Sequence, residues 1–187
     1  MSTVQEQTRR ALAASGRAIA DLFRTLPPDL ARFKPALTAW SALEILNHLA
    51  DEEAEDFRLR LSLTLETPES PWPPIDPEGW VTERDYLDRD PEETLQRFET
   101  QRSQSLEWLA SLDAATPWQQ KNQAADNLSL RAGDLAAAWI DHDLAHLIQL
   151  ARVIAQAHHH HQAPFQSDYS GADWHRQKDS TPHSGIS

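Results

Sequence analysis

Residues 130–153 read LRAGDLAAAWIDHDLAHLIQLARV, and this stretch decides the fold class. Leu135, Trp139, His142, His146, Leu150 and Val153 recur every three or four residues. On a 3.6-residue period they share one side of a helix. The pattern predicts a helix from about Arg131 to Ala157, with a polar remainder from His158 onward.

Three more helical patterns lie upstream. Leu12, Ile19, Leu22 and Leu26 form an apolar stripe in a segment from about Val4 to Leu26. Pro27 and Pro28 end it, because proline lacks the backbone donor and clashes with the preceding turn. A second helix is expected from about Ser41 to Glu66, with Ala42, Ile45, Leu46, Leu49, Phe57 and Leu61 as its apolar set. Ser41 followed three residues later by Glu44 fits a capping box. A third starts at Asp90-Pro91, a cap followed by proline at the first helical position, and ends near Leu112. Between the second and third, residues 67–79 hold five prolines. That segment is expected to be a stiff non-helical crossover held down by Trp72 and Trp80, with a short helical turn at about Val81–Leu87 after it. A polar connection to about Ser129 precedes the last helix. Four amphipathic helices make an all-α four-helix bundle with one long proline-rich crossover. A single domain over residues 1–175 and a polar tail at 176–187 are expected. The order of the helices in space does not follow from the pattern.

Composition agrees. Ala, Leu, Gln and Glu abound, β-branched residues are scarce and only five glycines occur in 187 residues, which favours helices over strands. The formal charge of −12 repels phosphate backbones and anionic lipid, so no nucleic-acid or membrane partner is expected. Without cysteine, a transition-metal site must use histidine and carboxylate. No apolar run or leader-like start is present, and the cytoplasm is the expected location.

The chemistry concentrates on histidine. Four helical residues advance about 400°, so the His142 and His146 rings lie about 40° apart and roughly 6 Å along the axis. Two such imidazoles can reach one metal ion. Both stand on the apolar stripe. His48, the lone histidine of the second helix, stands beside Ile45 and Leu49. Burying three neutral imidazoles costs free energy unless their nitrogens find partners, and one divalent ion would satisfy all three. A three-histidine set leaves a position open for water or substrate. The competing reading is of core histidines with ordinary hydrogen bonds, and spacing alone does not separate the two.

The string TAWSALEILNHLADEEAEDFRLRL (38–61) and the stretch quoted at the outset resemble the second- and fourth-helix signatures of the DinB-like superfamily. The intervening PWPPIDPEGWVTERDYLDRDPEETLQRF (71–98) resembles a subset of that family. The resemblance runs from about residue 4 to 175. It implies a four-helix bundle, often a homodimer, with one divalent metal (zinc, nickel or iron) on His48, His142 and His146. It also implies a metal-dependent thiol transferase or isomerase that acts on a small electrophilic molecule with a low-molecular-weight thiol. Metal-assisted hydrolysis and a non-catalytic, metal-stabilised, stress-related module are the alternatives.

Other residues receive plainer expectations. Glu52 could lean toward the metal as ligand or base, but the run Asp51–Glu53 is expected to be mainly a solvated acidic face. Asp141 and Asp143 could orient the histidine rings or, as is commoner, face water. The run His158–His161 resembles a metal-affinity tag and is expected to be a solvated helix end, where positive charge suits the helix dipole. Trp40, Trp108 and Trp139 fit either a substrate pocket or core packing.

Overall fold

The computed structural model describes residues 3–124 and 130–172, and every regular element among them is helical. α1 runs Val4–Arg24, with the Thr3 side chain accepting from the Glu6 N–H. Pro28–Ala31 forms a single turn, α2. α3 is Ala42–Glu52, and both halves of the Ser41/Glu44 capping box are present. α4, Arg58–Glu66, continues the same rod after a π-helical turn at Glu53–Phe57. α5 is Pro77–Glu83, α6 is Pro91–Ser111 and α7 is Ala132–His161.

Three expectations change. The proline-rich crossover is not wholly non-helical. Asp76 caps α5 by accepting from Gly79 N–H, and Pro77 occupies the first turn, where its missing N–H costs nothing. The second helix is interrupted by the π turn, which apolar spacing did not reveal. The last helix passes the expected boundary at Ala157 and runs on to His161, so that the four histidines form the helix end expected of them. The expected tail at 176–187, and the end of the connection before α7, lie outside the described residues.

Each of α1 and α3 packs against both α6 and α7, which sets α1 diagonally across from α3. The core comes in two apolar clusters. Ile19, Phe23, Leu46, Leu49, Phe98, Leu150 and Val153 belong to one. Leu12, Phe57, Leu61, Leu109, Leu135 and Trp139 belong to the other. On every main helix the residues between the two clusters are polar and buried: Ser15 on α1, Asp51–Glu53 and Asp56 on the α3–α4 rod, Arg102 and Ser105 on α6, Asp143 on α7. A polar layer therefore crosses the bundle at mid-height, and the histidines lie in it.

Candidate metal centre

His48 comes from α3, while His142 and His146 come from consecutive turns of α7. His48 Nε2 lies 3.2 Å from His142 Nε2 and 3.1 Å from His146 Nε2. Among the described residues these three form the one cluster of candidate metal ligands, with ligand atoms within 4.8 Å of one another. Nitrogens bound to a tetrahedral ion at ~2.1 Å stand about 3.4 Å apart, so the side chains already hold nearly the spacing an ion requires.

The surroundings select the ligating form of the His146 ring. His146 Nδ1–H donates to Gln149 Oε1 at 2.7 Å. A neutral ring protonated at Nδ1 leaves the Nε2 lone pair free, and that nitrogen faces His48 Nε2. Trp40 stacks nearly parallel to His146, and Phe57 lies against His142 with ring centroids 5.0 Å apart. Nine α-helical residues would put Phe57 about 180° from His48; the wide π turn between them turns Phe57 back toward the site. Such turns commonly mark functional positions.

Burial, then the neighbouring imidazoles, push His48 well below the ordinary histidine value of 6.5. The same causes take His146 down to about 3, opposed by Gln149 and Asp143. Both rings therefore stay neutral at neutral pH, as metal ligation requires. On the π turn, burial raises the Asp56 carboxyl to about 6 against the pull of Arg60, with the nearby Glu52 adding to the rise.

These shifts carry a stability prediction for the metal-free protein. Unfolded histidine titrates near ~6.5. Below that value the unfolded chain takes up protons that folded His48 and His146 refuse. Their contribution is complete above about pH 6.5 and is lost as the pH falls through and below it. Asp56 acts oppositely between its ordinary 3.8 and about 6, because the folded state there binds the extra proton. With two groups against one, the urea midpoint is expected to fall from pH 7.5 to 4.5, and His146→Gln to flatten the slope. A midpoint level across that range would contradict these shifts.

The acidic run departs from expectation. Asp51, Glu52 and Glu53 are 1%, 4% and 1% exposed, so none forms a solvated face. Asp51 pairs with Arg84 and Arg97. Glu52 Oε2 stands 3.2 Å from His142 Nε2, and its buried Oε1 has no hydrogen-bond partner. Glu52 lies outside the ligand cluster itself, at its edge. Glu53 and Asp143 both bind Arg102. Asp143 thus neither orients a histidine ring nor faces water, while Asp141 is exposed. Trp139 is buried in the core and only Trp40 of the named tryptophans reaches the rings. The four-histidine run takes no part: His160 packs on Phe33 and His161 approaches Asp29.

Gln149 and Arg102 are added to the site by the structure. Gln149 stands three residues after His146, within side-chain reach on a helix. Arg102 and Ser105 occupy the positions between Phe98 and Leu109 where the α6 stripe should be apolar. On α1 the same signal is Ser15-Gly16 between Leu12 and Ile19. A Cβ on Gly16 would meet the Arg102 side chain at 3.1 Å, so glycine is kept mid-helix to let Arg102 pass.

The sequence profile of the DinB superfamily matches residues 11–150. No curated protein matches the chain significantly. Among solved structures the chain is similar to YfiT from Bacillus subtilis, described as "a probable metal-dependent hydrolase with an unusual four-helix bundle topology". The TM-score is 0.69 at 13% identity, over 81% of this chain and 86% of that one, a likeness of fold. Among the described residues no helix is long and apolar enough to cross a membrane.

Proposed function

The chain belongs to the DinB superfamily, and from that premise we propose that it is a metal-dependent hydrolase of a small molecule. The observation that carries the reading is the convergence of three histidine Nε2 atoms with the Glu52 carboxylate beside them. His48, His142 and His146 would hold a divalent ion, which would supply Lewis acidity when bound. Glu52 is the base: its Oε2 stands beside His142, and its free Oε1 can take a proton from the attacking nucleophile and return it to the leaving group. Trp40 and Phe57 provide apolar walls that limit water around the reacting groups.

Protein purified without an affinity column, then loaded with zinc, nickel or iron, is to be assayed on small esters and amides with and without added thiol. Turnover without thiol is expected. Glu52→Gln is expected to retain the metal and lose about 10²- to 10⁴-fold in kcat, the usual worth of a positioned general base. Unchanged kcat would remove Glu52 from the chemistry. Turnover only with added thiol would reassign the protein as a thiol transferase or isomerase acting through the same histidines. Metal that raises the melting temperature without any turnover would favour a non-catalytic, metal-stabilised module.

A further inference from the structure

Four helices converge on one guanidinium in the polar layer. Arg102 on α6 is 5% exposed. Its Nε and Nη2 donate to the two Glu53 oxygens, each at 2.8 Å. Nη1 and Nη2 donate to the two Asp143 oxygens at 2.6 and 2.9 Å. Nη1 also donates to the Leu12 carbonyl of α1 at 2.7 Å. All five N–H groups of the planar fork are therefore used. Ser15 of α1 donates to Asp143, and Trp139 Nε1–H donates to Glu53 at 3.2 Å.

The two carboxylates hold particular places in the chain. Glu53 directly follows Glu52 and stands five residues after His48 on one rod. Asp143 directly follows His142. We infer that Arg102 is a positioning residue for the metal centre, clamping the α3 end to α7 and so setting the distance from His48 to the His142/His146 pair. His48 stands on one helix and its two partners on another, so the 3.1–3.2 Å spacing depends on how those helices are placed axially. Metal–nitrogen bonds tolerate only about 0.2 Å of misplacement. A fork chelating one carboxylate from each side removes the sliding freedom that apolar packing leaves.

Stability alone is a weaker explanation. Buried ion clusters are often no better for stability than apolar side chains of like volume. The electrostatic consequence also has the opposite sign. One guanidinium between two carboxylates leaves a net negative charge behind the histidines, and removing the cation would increase it. If charge governed, loss of Arg102 would tighten cation binding; if position governs, it weakens binding.

The inference rests on the metal-binding reading, not on hydrolysis, and cobalt(II) is a suitable probe because its visible spectrum reports ligand geometry. Wild type, Arg102→Met, Arg102→Lys and the isosteric Asp143→Asn are to be titrated with cobalt(II), with folding followed by circular dichroism. Each folded variant is expected to bind cobalt about tenfold or more weakly, the usual effect of losing support behind a ligand, with an altered d–d spectrum. Lysine is expected to give no rescue, since one ammonium cannot chelate two carboxylates. A folded variant with wild-type affinity and spectrum would overturn the inference, and so would tighter binding by Arg102→Met. Failure of all three variants to fold would also overturn it, since the cluster would then serve stability rather than spacing. Wild type that takes up no cobalt would end the metal reading itself.

Discussion

Zinc is expected to bind His142→Ala at least about a hundredfold more weakly than wild type, with similar losses in His48→Ala and His146→Ala. Structural zinc sites are worth about 10–16 kcal/mol over four ligands, so each ligand carries roughly 3 kcal/mol, a factor of a hundred or more. Among the described residues there is no substitute donor of equal standing. Glu52 approaches His142 alone and stands outside the 4.8 Å cluster, so it cannot replace a lost imidazole without moving the α3 end. Replacing His158–His161 together is expected to leave the tight site unchanged, because none of them belongs to the ligand cluster, while His160 packs on Phe33 and His161 approaches Asp29. Isothermal titration of affinity-tag-free protein at neutral pH decides between the two. Loss of tight binding in the four-histidine variant, with the triad variants unaffected, would move the site to the end of α7.

The second large effect is on stability. Trp139→Ala is expected to cost about 3–5 kcal/mol, the range for emptying a buried aromatic site. Trp139 is 1% exposed and stacks on Phe57 with ring planes 8° apart. Its indole also donates to Glu53, so alanine both opens a cavity and removes a partner from a buried carboxylate. Trp139→Phe keeps most of the volume and loses only the donor, and about 1–2 kcal/mol is expected. In a chain of this size 1 kcal/mol moves Tm by about 2–4 °C, so the alanine variant should melt roughly 6–20 °C lower. Urea denaturation at constant m-value checks both numbers. A Trp139→Ala variant within 1 kcal/mol of wild type, on the order of surface substitutions, would show that the site collapses to fill the space.

The helices were legible because each writes its own period and its own ends. Leu135 to Val153, the Ser41/Glu44 box and Asp90-Pro91 are local signals, and the structure keeps all three. The π turn was not legible: local apolar spacing runs through it without a break, and its reason is the placing of Phe57 against His142, on another helix. The acidic run was misread for a related reason. Asp51 and Glu53 look like a solvated surface until Arg84, Arg97 and Arg102, 33 to 49 residues away, are seen to pair with them, and Glu52 between them is buried against His142.

Sequence alone thus determined the class of fold and marked His48, His142 and His146 as candidates. Helix period and capping act within a few residues of the side chain concerned, and they fix which face of its helix each histidine takes. Only the tertiary structure decided how the helices are ordered, that Glu52 stands at the edge of the site and that Arg102 braces it. Those facts depend on the meeting of groups far apart in the chain, where desolvated charges find partners that no local pattern names.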